Sequence, residues 1–538
     1  MQNTDRDWWR GGVIYQIYPR SFLDTNGDGV GDLEGIRRRL AYVAGLGVDA
    51  IWISPFFRSP MKDFGYDVSD YRDVDPIFGS LEDFDRLVEE AHRLGLRVVI
   101  DQVLSHTSDQ HPWFEESRRD RDNPRADWYV WADPKADGTP PNNWLSNFGG
   151  SAWQWDTRRC QYYLHNFLAS QPDLNYHNPA VMEAIVEEVR FWLERGVDGF
   201  RLDAINFAFH DPSLADNPPL AGRARFADNP YAFQDHVHDK SRPEMHGLLR
   251  RLRALAEEYG GAMLMGEIGD DDRRSRRLMA EYTSGGDKLH MAYSFDLLTD
   301  DGSAQRIRGI VEGLEREIGD GYPCWSIGNH DVPRVATRWG HGAREERVAP
   351  LYAALLLSLR GGICVYEGDE LGLPEADIAY EDLQDPVGIA MWPRNKGRDG
   401  CRTPMPWEAH SANAGFSAAR PWLPVPDSHR RRAVDRQDGV PGSVLEAFRR
   451  LLRWRKGQPA LIHGALRFLD SPEDTLLIER CENDQRLLAA FNLGDSAARI
   501  PLPDDCEVEA VDGHGFGGTL DHVVISVPER DAFFGRIL

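Results

Sequence analysis

The 538-residue sequence has six cysteines, Cys160, Cys324, Cys364, Cys401, Cys481 and Cys506, and no CxxC pair among them. Neither a zinc-thiolate site nor a dense disulfide framework is expected, and the thiols read as reduced. Long apolar runs are missing too. No stretch reaches the length of a membrane span, and Met1 to Trp9, with Asp5, Arg6 and Asp7, holds no signal-like segment. The expectation is a cytoplasmic chain with no membrane partner. Positive charge is scarce: 62 Lys and Arg stand against 87 Asp and Glu, a formal net charge of -25. Such a surface repels phosphate backbones, which excludes nucleic acid and favours neutral or cationic ligands. Helical repeats and low-complexity tracts are also absent.

The chain is rich in ordinary globular material, with 41% hydrophobic and 28% charged residues, and this excludes disorder as its main state. Its length allows roughly two to four domains, or one large barrel with an appendage. Its 16 Trp, 17 Tyr and 23 Phe serve mostly the core and leave some for stacking surfaces. Strand-like runs recur at Val13 to Tyr18, Ala50 to Ile53, Arg97 to Val103, Gly199 to Asp203, Ala262 to Glu267, Cys324 to Ile327 and Ile363 to Tyr366. Helical patterns lie between them. The clearest starts at Ser80, with Asp83 as capping-box partner and Phe84, Leu87, Val88, Ala91 and Leu94 at helical spacing, and stops at Gly95. Repeated alternation of this kind implies parallel strands joined by right-handed crossovers, enough for a closed barrel.

Two stretches break the rhythm. From Ser105 to about Asn175 the chain is rich in Asp, Asn, Pro and Trp, and from Leu371 to Pro426 in Pro, Asp and Arg. Both leave the carboxyl ends of strands, where long loops can wall a pocket. Beyond about Gly457, short strands such as Thr475 to Ile478, Leu487 to Phe491 and Val523 to Val527 are separated by turn residues. The expected organisation is α/β: a (β/α)8 TIM barrel in two parts, residues 1–104 and 176–457. A loop-rich subdomain over 105–175 interrupts it after strand 3, a loop-rich insertion occupies about 371–426, and an all-β domain follows over 458–538.

Three carboxylates, Asp203, Glu267 and Asp331, close strand-like runs at equal intervals of 64 residues. Their motifs are Gly199-Phe200-Arg201-Leu202-Asp203, Met265-Gly266-Glu267 and Gly328-Asn329-His330-Asp331. In such a barrel they converge at the carboxyl ends of the strands, where these folds place their chemistry. Cleavage of a glycosidic bond needs a carboxylate on one face of an oxocarbenium-like centre and a proton donor on the other, about 5 Å apart if configuration is retained. Arg201 is expected to lower the pKa of Asp203, while Glu267, preceded by Met263, Leu264 and Met265, is expected to sit where desolvation raises its own. A single acid would read better as a helix cap or salt bridge. The constellation favours catalysis.

Further motifs follow in a known order: Gln16-Ile17-Tyr18-Pro19-Arg20-Ser21-Phe22, Asp63-Phe64-Gly65-Tyr66-Asp67, Asp101 through His106, Gln171-Pro172-Asp173-Leu174-Asn175, and Arg398 through Trp407. With them the chain resembles, over nearly its whole length, the α-amylase family of retaining glycoside hydrolases, and within it the bacterial α-glucosidases related to oligo-1,6-glucosidase. The resemblance implies Asp203 as nucleophile, Glu267 as general acid and base, and Asp331 as a third carboxylate that holds the sugar's 2- and 3-hydroxyls. It implies Tyr66 as an aromatic platform, His106 and His330 as donors to sugar hydroxyls, and Arg201 as part of the substrate site. Asp63 with Arg402 corresponds to the pair that grips the 4- and 6-hydroxyls of a terminal glucose and closes the subsite, which makes the enzyme exo-acting. Arg398 has the alternative of only holding this loop.

Asp24-Thr25-Asn26-Gly27-Asp28-Gly29-Val30-Gly31-Asp32 offers oxygens at alternating positions, as hard-cation loops do, without the glutamate an EF-hand carries at its twelfth position. Spacing alone reads as well as an acidic glycine-rich turn. The family's equivalent loop binds calcium, and the resemblance implies a structural Ca2+ on Asp24, Asn26, Asp28, the Val30 carbonyl and Asp32. Two motifs depart from the relatives. Tyr366-Glu367-Gly368-Asp369-Glu370 stands where the family commonly has Tyr-Gln-Gly-Glu-Glu, and Ala204 follows the nucleophile where relatives specialised for α-1,6 bonds usually carry valine. The smaller side chain leaves space for an α-1,4-linked leaving group.

The expected activity is therefore that of an exo-acting α-glucosidase on short α-glucosides such as maltose, working through a covalent glucosyl-enzyme, with transfer of glucose to acceptor alcohols or sugars. A sucrose- or isomaltose-processing relative is the nearest alternative. It is weakened as an isomerase by the lack of an Arg-Leu-Asp-Arg-Phe loop. A non-catalytic carbohydrate-binding barrel is weakened by the intact acids and the lack of an anchor. The sequence accommodates a monomer or a homodimer.

Overall fold

The computed structural model describes residues 6–220, 229–340, 345–503 and 506–538, so the first five residues of the segment read above as lacking a leader lie outside the described residues. Eight strands form one parallel sheet: β1 (Val13–Ile17), β2 (Ala50–Ile53), β3 (Arg97–Val103), β4 (Gly199–Asp203), β5 (Met263–Ile268), β6 (Met291–Ser294), β7 (Cys324–Ser326) and β8 (Gly362–Tyr366). Their order is β6-β5-β4-β3-β2-β1-β8-β7, and a parallel bridge from Ala292 to Pro323 joins the two ends into a barrel. Between and after them run α1 (Leu33–Leu46), α2 (Leu81–Arg93), α3 (Pro179–Glu194), α4 (Met245–Glu258), α5 (Asp272–Thr283), α6 (Ala304–Glu317), α7 (Glu345–Ser358) and α8 (Val444–Lys456). No helix among the described residues is long and apolar enough to cross a membrane.

Local sequence chemistry sets these units. Ser80 and Asp83 form the reciprocal capping box of α2, its Phe84, Leu87, Val88 and Ala91 are buried, and Gly95 at φ +81° turns the chain into β3. The strands are covered on both sides and so read as continuous apolar runs without alternation. The sequence pattern missed β6. Met-Ala-Tyr-Ser is four residues long and holds no β-branched residue, so it carries little strand signal of its own.

Between β3 and α3 the chain builds a small three-stranded antiparallel sheet, with Gln161–Leu164 between Trp131–Ala132 and Trp153–Asp156, over its own core of Val130, Trp144, Trp153 and Leu164. It returns to the barrel through an antiparallel bridge between His106 and Asp173. Short helical turns such as Pro386–Met391 fill the excursion between β8 and α8. The C-terminal part is a five-stranded and a three-stranded antiparallel sheet sharing Leu477, Leu488, Ile500, Ile525 and Phe533 as core. Buried Arg480 fastens it to the barrel by donating to the carbonyls of Ser358 and Leu359 after α7.

Candidate active site

Residues two apart on a strand face the same way, so β4 sends Arg201 and Asp203 into the barrel mouth together. Arg201 is wholly buried: Nη1 donates to Asp203 Oδ1 at 2.6 Å and to Asp101 Oδ1 at 2.8 Å, and Nη2 meets Glu267 Oε1 at 2.5 Å. One guanidinium thus gathers carboxylates from β3, β4 and β5. The Tyr293 hydroxyl from β6 accepts from Arg201 Nη2 at 3.0 Å and donates to Glu267 Oε1 at 3.0 Å. Glu267 Oε2 accepts from the backbone N–H of Ala204 at 3.0 Å, and Ala204 adopts left-handed φ +39°, ψ +43°.

Burial pushes Asp203 and Glu267 each up to about 7, with Arg201 opposing. The rise at Glu267 matches the sequence reading. The depression expected at Asp203 does not occur, because burial outweighs a guanidinium that Asp101 and Glu267 also share. Two neighbouring carboxyls both raised toward neutral pH can supply an acid and a base side by side.

Gln16 Nε2 donates to His330 Nδ1 at 2.7 Å, so the ring proton of His330 sits on Nε2, facing the Tyr66 hydroxyl at 2.6 Å. That hydroxyl donates to Asp101 Oδ2 at 3.2 Å. The Tyr66 and His330 rings stack with centroids 5.3 Å apart. Burial holds His330 at about 3 and His106 at about 4, so both rings are neutral. His106 directs Nε2 at the Tyr66 carbonyl at 3.0 Å, which ties it to the turn carrying Asp63 and Tyr66.

Burial opposes ionisation of Asp331, yet His330, Arg398 and Arg402 around it hold its carboxyl well below the usual carboxylate range. Arg402 Nη2 donates to Asp331 Oδ1 at 3.1 Å and Nε to the His330 carbonyl at 2.7 Å. Asp63 itself pairs with Arg398, the arginine that the sequence reading left with the alternative of only holding this loop: its Nη2 donates to Asp63 Oδ1 at 2.8 Å and to Asp385 Oδ1 at 2.9 Å, while Nη1 reaches Asp331 at 3.3 Å. Gln171 Nε2 bonds the other oxygen of Asp63 at 3.1 Å.

These groups border one cavity of about 710 Å³, lined among others by Asp63, Tyr66, His106, Asp203, Glu267, Asp331 and Arg398. Its size suits a small organic molecule. Of the residues expected to bind substrate, Arg201, His330 and Arg402 are buried behind the lining and orient the groups on it. Sequence reasoning gave no role to Asp101, Gln171 and Tyr293 and a lesser one to Arg398. Asp101, Gln171 and Arg398 lie inside motifs that were noticed; Tyr293 lies on the unannounced strand.

The Asp24–Asp32 loop folds on itself. Asp24 accepts from the N–H groups of Asn26, Gly27 and Gly29, Asn26 from Asp28, and Asp28 from Val30. Asp32 accepts from Thr25 and, as N-cap of α1, from Gly35. Among the described residues no three His, Cys, Asp or Glu side chains converge as a metal-holding group. The donor set is nevertheless all hard oxygen, the chemistry a calcium or magnesium ion takes.

A family model described as alpha amylase, catalytic domain, matches residues 16–464. The chain is 57% identical to a probable alpha-glucosidase of Rhizobium meliloti (strain 1021), covering 99% of this chain and 98% of that one. It is 38% identical to an oligo-1,6-glucosidase of Heyndrickxia coagulans, over 93% and 94% of the two chains. Among solved structures it superposes on the alpha-glucosyl transfer enzyme XgtA with a TM-score of 0.96 and 57% identity over 99% of each chain. The trehalulose synthase MutB from Pseudomonas mesoacidophila MX-45 gives a TM-score of 0.89 and 33% identity over 99% of each chain. With the barrel, the carboxylate cluster at its mouth and these likenesses together, the chain belongs to the alpha-amylase family and is a glycoside hydrolase.

Proposed function

We propose that the protein is an exo-acting, retaining α-glucosidase that cleaves short α-glucosides, α-1,4-linked ones such as maltose first, and passes glucose to water or to acceptor hydroxyls. One observation carries this reading: Asp203 and Glu267, on the wall of a cavity that also holds the Asp63–Arg398 ion pair, meet the two terminal nitrogens of one guanidinium buried behind it. That arrangement keeps the two carboxyls a few ångströms apart, and retention requires about 5 Å. Asp203 attacks the anomeric carbon while Glu267 protonates the departing glycosidic oxygen, leaving a glucosyl ester on Asp203. Glu267, now a carboxylate, takes a proton from water or an acceptor alcohol. The resulting nucleophile reaches the anomeric carbon from the face the leaving group left, and Asp203 is freed. Asp331, kept ionised, accepts hydrogen bonds from ring hydroxyls as positive charge develops.

The largely buried Asp63–Arg398 pair supports exo action, because a chain extended beyond the terminal glucose would meet a closed, charged wall. Ala204, small and on the cavity wall, supports room for an α-1,4-linked leaving group. The similarity to an alpha-glucosyl transfer enzyme supports transfer. Calcium on the Asp24–Asp32 loop is proposed as a structural ion, supported by the oxygen-only donor set. Initial rates on maltose, isomaltose, trehalose, sucrose and maltotriose, with the first product anomer read by NMR, test the reading. Maltose should lead and α-glucose should appear first. β-Glucose first, or isomerised sucrose as the main product, would overturn it.

A further inference from the structure

Lys240 is only 4% exposed, yet it lies on the cavity wall. Its ammonium donates to the Gly269 carbonyl at 2.8 Å and sits 4.7 Å from the centre of the Phe207 ring and 5.4 Å from that of Tyr231. Among the described residues Gly269 O is its one hydrogen-bond acceptor, which leaves N–H groups of the ammonium for a molecule in the cavity.

What Lys240 touches defines which end of the cavity it serves. Gly269 lies two residues beyond Glu267, and Phe207 ends the turn that follows Asp203 and Ala204. A proton donor faces the departing oxygen, so the wall reached through Glu267 is the one the leaving group passes. Asp63 and Arg398 guard the glucose end. The Gly269 turn has its own clasp: Asn206 Nδ2 donates to Gly269 O at 3.1 Å, Gly269 N–H donates to Asn206 Oδ1 at 3.1 Å, and Ser241 Oγ donates to Asp270 Oδ2 at 2.6 Å. Holding that turn therefore does not require a buried ammonium. Burial makes so enclosed a charge costly, the carboxylates of Asp270 and Asp239 offset part of that cost, and a pyranose offers hydroxyls to the remaining N–H groups and apolar ring faces to Phe207 and Tyr231.

We propose that Lys240 recognises the sugar on the leaving-group side, and the sugar acceptor during transfer, by donating hydrogen bonds to its hydroxyls. The proposal rests on the α-glucosidase reading and adds the residue that selects a hydroxylated ring over a plain aryl group. The test compares kcat/KM for maltose and for p-nitrophenyl α-glucoside, whose leaving group has no sugar hydroxyls, in wild type, Lys240→Met and Lys240→Arg, with melting temperatures alongside. Lys240→Met should reduce the maltose value about tenfold or more beyond any change with the nitrophenyl substrate, and Lys240→Arg should recover part of the loss. Should Lys240→Met fail to fold, Lys240→Gln is read by the same ratio. Equal losses on both substrates would make Lys240 a positioning residue and overturn the proposal, as would no loss on either. A wild type inactive on both substrates would instead reject the α-glucosidase reading, and this proposal with it.

Discussion

Replacing Glu367 with glutamine should stabilise the protein at neutral pH and confer no such gain near pH 4. Glu367 follows β8 and is 0% exposed; Oε2 accepts the Tyr18 N–H at 2.9 Å, and Oε1 has no hydrogen-bond partner among the described residues. Arg334 donates to the Glu367 main-chain carbonyl at 2.8 Å. Burial pushes the carboxyl well above its usual range, and the Tyr18 N–H and Arg334 oppose too weakly to bring it back. A carboxyl whose folded pKa is raised contributes its full stability below the unfolded value, near 4.3, and loses it as pH rises through the folded value. While the folded group keeps its proton, each pH unit above 4.3 costs about 1.4 kcal/mol relative to the unfolded chain. Glutamine does not titrate, and its oxygen can take the same Tyr18 N–H. Its amide N–H groups face the spot where Oε1 lacks a partner, at a cost of about 1–3 kcal/mol, so the gain emerges and grows as rising pH erodes the contribution of the carboxyl. Urea midpoints of both proteins at pH 4.5, 6, 7 and 8 provide the assay, and the gap should widen with pH. A gap that stays flat across the series, or a variant less stable than wild type at pH 8, would refute the reasoning. The family pattern that places glutamine here is in keeping with it.

Asp203→Asn and Glu267→Gln should each lower kcat by at least about a hundredfold while maltose still binds, as measured by steady-state rates and calorimetry; retention of a tenth of the activity would remove that residue from its role. Because both acids titrate near 7, wild-type activity should fall on the acid side, where Asp203 is protonated, and on the alkaline side, where Glu267 has no proton to give. A flat rate from pH 5 to 9 would contradict this. Ala204→Val should move preference from maltose toward isomaltose by about 5- to 150-fold, and an unchanged ratio would show that this side chain does not set linkage choice. Removing divalent metal with a chelator should lower the melting temperature without direct loss of the chemistry, and an unmoved melting curve in a metal-free sample would end the calcium proposal.

The barrel was legible because its strands are apolar runs closed by glycine-capped helices, a signal local to each unit, as the observed Ser80–Asp83 box and Gly95 illustrate. Strand β6 was not, since its four residues owe their extended form to the neighbours that flank them. The three acids could be found from their motifs, and motif order located the Arg398–Arg402 segment. That Arg398 meets Asp63 while Arg402 meets Asp331 depends on how the excursion between β8 and α8 folds, a long-range fact that spacing does not encode. The pKa of Asp203 was misjudged for a related reason. Sequence proximity put Arg201 beside it but revealed neither the burial that raises it nor that Asp101 and Glu267 share the same cation.

Ala204 links two properties of the catalyst that are usually varied separately. Its side chain faces the cavity, while its peptide N–H, aimed by a left-handed backbone, bonds Glu267 and restrains the rise of that acid's pKa. A branched side chain resists such a backbone conformation, so Ala204→Val should also loosen the N–H on Glu267 and shift the alkaline limb of activity upward. Where Ala204 sets linkage choice as proposed, bond selectivity and working pH are inherited together at this position, and a descendant adapted to a new linkage would carry its changed pH range as a passenger.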